Sequence, residues 1–404
     1  MNYRLGILVS HPIQYYVPWF WHLAKRMDIE VFYAHRQDGK GQAQAGFGVE
    51  FDWDVPLLEG YPYRWLKNVS RRPTLRSFSG CDTPEIFDIV RREKFDAFLI
   101  FGWNRKSSIQ TILACWKKGV PVLMRGDSHL GEYRSMLLRV TKYFPYRFFL
   151  PRLSAHLYVG QRNREYLTHY GVPKEKLFFV PHFVDNAYFR EAALRVEKEA
   201  KTADIRKRFK VPENAFVCLF VGKMISKKRA SDFIRACLSV MSRPEGRDIF
   251  ALLVGDGPLR DSLEQLASPC ADQIRFAGFQ NQSEMPFFYR AANVLVLPSD
   301  GGETWGLVVN EAFACGIPAI VSDRVGCAPD LIEEGKTGYT FPLGQIEVLA
   351  RKILEIKEAW QTDSQFIQKS LLQKITDYSM DAATKALKEV LETICLSRKV
   401  YEPL

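Results

Sequence analysis

Residues 294–323 read VLVLPSDGGETWGLVVNEAFACGIPAIVSD, and they decide the fold. Val294 to Leu297 is a short apolar, β-branched run stopped by Pro298 and Ser299, and Pro318 to Val321 is a second one stopped by Ser322 and Asp323. Both have the pattern of buried parallel strands. Between them Leu307 to Cys315 suffices for about two to three helical turns and meets a stop at Gly316 and Pro318. Strand, loop, helix and strand make a βαβ unit.

In an open parallel sheet, ligands bind beyond the carboxyl ends of the strands, which places the loop Ser299 to Gly306 where a ligand belongs. The backbone N–H groups of Gly306 and Leu307 open the helix at the positive end of its dipole and suit an anion. Glu303 in the loop and Glu311 in the helix frame this spot. Glu311 shares its helix with Leu307, Val308, Val309, Ala312, Phe313 and Ala314, so it is expected to be buried. An ionised carboxylate there costs several kcal/mol unless something bonds it. Paired sugar hydroxyls would serve; the alternative is a polar core residue satisfied within its own domain.

With seven residues between them, in the setting E-T-W-G-L-V-V-N-E-A-F-A-C-G-I-P, Glu303 and Glu311 resemble the signature of family four of the retaining GT-B glycosyltransferases, glycosyl transferases group 1. The resemblance is dense over roughly residues 175–345 and holds only in outline before them. It implies an α/β fold of GT-B type, with two Rossmann-like, doubly wound parallel-sheet domains facing a cleft. It also implies transfer of a sugar from a nucleotide-diphosphate sugar to an acceptor hydroxyl with the anomeric configuration retained. Two rival readings are a sugar-nucleotide epimerase on the same fold and a non-catalytic protein that binds a sugar nucleotide or an anionic membrane.

At 404 residues the chain exceeds what one core usually organises, and 47% hydrophobic with 25% charged residues is a globular composition. No apolar run approaches the roughly 18 residues of a membrane span, and LGILV near the start reads as a buried strand rather than a signal peptide. The expectation is a cytoplasmic protein, at most peripheral at the inner face of the membrane. The eight cysteines form no C-x-x-C pair and read as small buried thiols, and nothing reads as a metal site. A formal charge of +10 suits an anionic substrate, an anionic membrane or nucleic acid; with no nucleic-acid motif in view, nucleic acid is not expected.

Strand candidates at Leu5–Val9, Ile29–Tyr33, Ala97–Phe101, Val120–Met124, His156–Val159 and Leu177–Val180 alternate with helical segments and predict a first domain over residues 1–190, which the resemblance implies binds the acceptor. Residues 35–80 break the rhythm and read as loops and short elements. The charged run around residues 190–210 marks a linker, 191–213. The alternation restarts at Phe216 to Val221 and predicts a second domain over 214–380, which the resemblance implies binds the nucleotide sugar. By the family resemblance, the terminal helix in 381–404 crosses back to the first domain.

Phe216 to Val221 runs into Gly222, Lys223 and, further on, Lys227, Lys228 and Arg229. Cations after a strand end neutralise a diphosphate; a solvated basic turn is the alternative. In the resemblance Lys228 matches a lysine, and Lys223 stands where arginine is usual. Lysine keeps the charge there and loses the bidentate fork. With Glu303, which would orient the sugar hydroxyls, these two lysines are the expected catalytic set. Gly222, Gly255, Gly257, Gly306, Leu307 and Glu311 are the expected donor-binding set, with Glu311 on the ribose. Because cations and helix amides neutralise the phosphates, no cofactor or metal is required.

On the acceptor side, Ser10-His11-Pro12-Ile13-Gln14-Tyr15-Tyr16 follows the first strand where many relatives carry a glycine pair. His11 and Gln14 are the candidates there, against a capping or packing role for His11. Trp103 follows another strand, and Arg125, Asp127 and His129 a third. Aligned by that strand, Gly126 takes the position where the family frequently has histidine. Pro181 to Asp185, with His182 and Phe183 in place of the commoner Asn-Gly, reads as hinge architecture, and Asp330 as structural. The segment 134–152, RSMLLRVTKYFPYRFFLPR, interleaves cations with aromatic rings and suits either an anionic membrane surface or a core-facing helix with snorkelling cations. Arg64, Lys67, Arg71, Arg72 and Arg76 add charge nearby and favour an anionic or lipid-linked acceptor; a glycan or small-molecule acceptor stays open.

Overall fold

The structure, a computed structural model, describes residues 3–37, 39–42, 48–132, 135–198 and 201–401. Two all-parallel sheets carry it. The first contains β1 (Arg4–Val9), β2 (Asp28–Tyr33), β3 (Tyr63–Trp65), β4 (Ala97–Phe101), β5 (Val122–Gly126), β6 (Ala155–Tyr158) and β7 (Leu177–Phe179), in the order β3-β2-β1-β4-β5-β6-β7. The second contains β8 (Phe216–Val221), β9 (Ile249–Val254), β10 (Ile274–Gly278), β11 (Val294–Leu297), β12 (Ala319–Ser322) and β13 (Gly338–Phe341), in the order β10-β9-β8-β11-β12-β13. The strand order reverses between β1 and β4 and again between β8 and β11. At both places the following loops diverge and leave a crevice, and the two crevices face each other.

Every residue of β8, β9, β11 and β12 is buried. Such strands are covered on both faces, so they read as continuous apolar runs without alternation. β3 and β13 escaped sequence reading because they are short edge strands with partly exposed residues. On β3, Arg64 is not a free cation for an acceptor: it bonds Glu30 at 2.6 Å and Glu93 at 2.9 Å.

The charged run after residue 190 is not a linker. It forms helices Asn186–Lys198 and Lys201–Arg208, and Phe189, Ala193 and Ile205 insert into the core of the second domain. The polypeptide changes domain earlier, at Pro181 to Asp185. Residues 199 and 200 of the run, like 38 and 43–47 of the irregular stretch and Arg134 of the basic segment, lie outside the described residues.

The helix Met136–Phe149 has no buried residue. Tyr143, Tyr146 and Phe149 lean on the first domain's core, while Met136, Leu137, Phe144 and Phe148 point away, each 63% or more exposed. None of the cysteines is bridged, and seven of the eight are buried.

Several contacts lock the domains together. Gln161 donates its backbone N–H to both oxygens of Asp330 at 3.1 Å, and Tyr378 donates to the same carboxylate at 3.2 Å. Burial pushes Asp330 up to about 6. The buried indole of Trp305 donates to Asn310 Oδ1 at 2.9 Å and abuts Gly160 so closely that a Cβ there would lie 2.4 Å from the ring. Asn310 in turn donates to the carbonyl of His182 at 3.3 Å.

After a long helix, Ile346–Asp377, kinked at Asp363, the last helix, Met380–Tyr401, lies on the first domain. Ala383, Leu387, Val390 and Leu391 complete that domain's core, and Trp19 Nε1 donates to Thr384 Oγ1 at 2.9 Å. We predict that Leu387→Ala destabilises the chain by about 2–5 kcal/mol, read as a lower urea midpoint; an unchanged midpoint would show that the helix contributes nothing to that core.

Candidate functional site

A cavity of about 350 Å³ opens where the two crevices meet. The second domain supplies most of its wall. β8 delivers Gly222, Lys223 and Lys228, β9 delivers Gly255, and the loop after β11 delivers Glu303 to Gly306 and the start of helix Leu307–Ala314. The glycines are steric necessities in two cases. A Cβ on Gly255 (φ 128°) would fall 2.0 Å from Gly222 O, and one on Gly306 (φ 101°) would fall 2.8 Å from Leu297. Side chains at these points would close the approach to the helix N-terminus, where the first N–H groups of an α-helix in general lack an intrahelical acceptor; here Val309 N turns back to Gly306 O at 2.9 Å.

The basic turn and the acidic loop are tied together. Lys228 forms an ion pair with Glu303, Lys227 Nζ donates to Gly302 O at 3.1 Å, and Asp300 N donates to Lys227 O at 2.9 Å. Burial pushes the Glu303 carboxyl up, but Lys228 and Lys227 outweigh it and hold the group below the usual carboxylate range. Lys223 is pulled down to about 8, first by burial and then by Lys228 and Lys227. Three lysines are thus crowded around one carboxylate, and their mutual repulsion favours an anion in this hollow.

Glu311 is different. It is buried on its helix, accepts from Tyr289 Oη at 2.5 Å, and is also reached by the hydroxyl of Tyr15 from the first domain. Burial pushes its carboxyl up to about 7 against these hydrogen bonds. Glu311 therefore lines the cleft already partnered by tyrosines.

From the first domain, Gln14, Tyr15, Trp53, Asp127 and His182 reach the cavity. Asp127 accepts from Thr304 Oγ1 at 2.6 Å across the cleft. Burial and the nearby Arg125 hold His182 well below its ordinary range. Four expected acceptor residues are placed elsewhere. Arg125 is buried, donates to Val180 O and Pro181 O at 2.7 Å each, and lies over the rings of Trp19 and Phe183. Its charge is met by hinge carbonyls and π faces, which makes it part of the architecture. Trp103 stacks on Phe149 at 5.2 Å, outside the cavity. His11 pairs with Ser10 Oγ at 2.9 Å, and burial pulls it down to about 4. His129 is buried, accepts from Gly131 N at 3.0 Å, and borders a separate cavity beneath helix Met136–Phe149. On the donor side Gly257 also stands off the cavity; it packs against the Met224 backbone, where a Cβ would come within 2.8 Å. Tyr15 and Trp53 were missed. Tyr15 sits in the loop already singled out, and the aromatic density of residues 51–65 was the available signal for Trp53.

Among the described residues, no group of three or more His, Cys, Asp or Glu side chains is placed to hold a metal ion, and no helix is long and apolar enough to cross a membrane.

Glu311 makes stability depend on pH in a defined direction. Between about pH 4.5 and 7 the folded chain keeps a proton that the unfolded chain has released, so stability present at the acid end is lost as pH rises to 7. Glu311→Gln, permanently neutral, escapes this loss. Its stability relative to the parent should rise by about 2–3 kcal/mol across that window, measured by urea titration at pH 5 and pH 8; a difference independent of pH would refute the assignment.

Residues 201–372 match the family model Glycosyl transferases group 1. The chain is 25% identical over 287 residues to alpha-D-kanosaminyltransferase of Streptomyces kanamyceticus, covering 69% of this chain and 72% of that one. It is 32% identical over 180 residues to the sulfoquinovosyl transferase of Arabidopsis thaliana, covering 44% and 33%, and 32% identical over 184 residues to D-inositol 3-phosphate glycosyltransferase of Acidothermus cellulolyticus, covering 43% and 39%. It thus spans most of the first relative's length but only about a third to two fifths of the other two. In fold it is similar to a glycosyltransferase from Rickettsia africae, with a TM-score of 0.74, 17% identity and coverage of 97% and 98%. It is also similar to Anabaena HepE in complex with UDP and glucose, with a TM-score of 0.70, 16% identity and coverage of 97% and 100%. Residues 201–372 thus resemble the glycosyl transferases group 1, and the two facing parallel-sheet domains of the chain have the GT-B fold.

Proposed function

We propose that this protein is a retaining glycosyltransferase that moves a sugar from a nucleoside-diphosphate sugar to an acceptor hydroxyl, in the synthesis of a polysaccharide, glycolipid or other glycoconjugate. The observation that carries this reading is the convergence of Lys223, Lys228 and the start of helix Leu307–Ala314 on one cavity between the domains, with Glu303 and Glu311 at its sides. The relatives support it: their names are those of sugar transferases, and HepE was solved with UDP and glucose.

In the reaction, the bond between C1 of the donor sugar and the phosphate oxygen breaks, and a bond from C1 to the acceptor oxygen forms on the same face. The acceptor proton passes to the departing phosphate. Lys223, Lys228 and the Gly306 and Leu307 amides meet the negative charge that grows on the diphosphate. An entering diphosphate competes with Glu303 for Lys228, which releases the Glu303 carboxylate toward the hydroxyls of the donor sugar. Glu311 takes the ribose hydroxyls in place of the Tyr15 contact.

The acceptor enters from the first domain, and the face around helix Met136–Phe149 supports a lipid-linked one. Its outward apolar side chains stand beside Arg139, Lys142, Arg147 and Arg152, which match an anionic leaflet in charge. The protein works, in this reading, as a peripheral protein at the inner face of a membrane. Wild type should sediment with vesicles containing phosphatidylglycerol and much less with phosphatidylcholine alone. Replacing Leu137, Phe144 and Phe148 by serine should weaken binding by at least about tenfold; equal sedimentation of parent and variant would argue against this face.

Activity is tested by offering a panel of nucleotide sugars with and without acceptors and reading the anomeric configuration of the product by NMR. An isomerised donor formed without acceptor would point to an epimerase instead. Lys228→Ala should stay folded and lose about 10²- to 10³-fold in kcat, and full turnover in the folded variant would remove Lys228 from the phosphate site.

A further inference from the structure

We infer that Trp53, carried by the first domain, forms a wall of the nucleobase subsite, so that the base of the donor is bound between the two domains rather than by the second domain alone. This rests on the reading of the cleft as a nucleotide-sugar site. Residues 48–54 leave the first domain, cross the cleft and fasten onto the second. Phe51 meets Phe279 with ring centroids 4.2 Å apart. The carbonyl of Asp52 accepts from Asn281 Nδ2 at 2.8 Å, and the Asp54 carboxylate accepts from Ser283 N at 3.3 Å and from the Ser283 hydroxyl. Gly48 lies against Gly257, where a Cβ would be 3.3 Å from its Cα. Every anchor is in the loops after β9 and β10. That is the flank of the second sheet next to β8 and away from β11, and so to one side of the turn that meets the phosphates.

The position fixes the chemistry. With a diphosphate at Gly222 and Lys228 and a ribose at Glu311, the base is carried toward Phe279 and Gln280, and Trp53 borders the cavity there. Phe51 performs the packing that holds the segment, and it meets the Trp53 ring edge to face at 4.9 Å and 89°, which props the indole. An indole bordering a cavity that already has the phosphate and sugar groups of a nucleotide offers a flat π surface, and any base stacks on one.

The experiment measures affinity for UDP, GDP and ADP by calorimetry, with inorganic diphosphate as the baseless control. Trp53→Ala should lose about ten- to a hundredfold for whichever nucleoside diphosphate binds wild type most tightly and nothing for inorganic diphosphate. Trp53→Phe should recover most of the loss. Ser283→Ala, which loosens the anchor without bordering the cavity, should lose a few-fold for the nucleotide alone. Equal nucleotide affinity in wild type and in Trp53→Ala with an unchanged thermal midpoint would overturn the role of Trp53 and leave the proposed function standing. Parallel loss of nucleotide and inorganic diphosphate would reduce Trp53 to a support of the whole cleft. A wild type that binds none of the three nucleotides would overturn both.

Discussion

The burial of the Trp305 indole against Gly160 is the constraint on which the site depends. Its neighbour Thr304 reaches Asp127 in the first domain, and its other neighbour, Gly306, begins the helix that carries Glu311. One ring pinned between the domains, with its N–H satisfied by Asn310, therefore fixes the loop that presents Glu303 and sets the angle of the helix N-terminus. A smaller side chain would leave a void at the hinge, and the cost of such a cavity falls on the relative placement of the two crevices.

Two buried glutamates eight positions apart along the chain experience opposite environments. Glu303 is surrounded by lysines and stays ionised; Glu311 is surrounded by tyrosines and titrates near neutrality. The difference follows from which elements face each one. Glu303 looks across to the basic turn after β8, while Glu311 looks toward Tyr289 on the neighbouring helix Met285–Ala291 and across the cleft toward Tyr15. Side by side they give the cavity an acidic wall that is partly neutral, so one ionised carboxylate faces the crowded lysines opposite it and an anion adds to their neutralisation.

Much of this was written in the chain, for a physical reason. Strands covered on both faces must be continuous apolar runs, so Phe216–Val221 and Val294–Leu297 announce themselves, and the glycines and charged residues that follow mark the loops. The donor half of the cleft follows from those loops, because short connections leave their side chains few directions. The acceptor half does not. Arg125 lies at the end of β5 and Trp103 just beyond β4, at strand ends as Lys223 is, yet Arg125 is drawn to the carbonyls of Val180 and Pro181, and Trp103 to the rings of Tyr146 and Phe149. Those partners are distant in sequence, and nothing local announces them. Trp53 is hidden for the converse reason: it reaches the cavity only because Asp52 and Asp54 find Asn281 and Ser283, far along the chain.

The last helix carries a consequence for how the protein is made. The first sheet is finished by Phe179, but Ala383, Leu387, Val390 and Leu391 are needed to cover its core. During synthesis the leading domain therefore waits, with a strip of apolar surface open to water, while some two hundred further residues are added and the second domain folds. It is the helix Met380–Tyr401 that seals the first domain, and a chain cut short within that helix would carry both sheets and still present a sticky, unfinished face to the quality-control machinery of the cell.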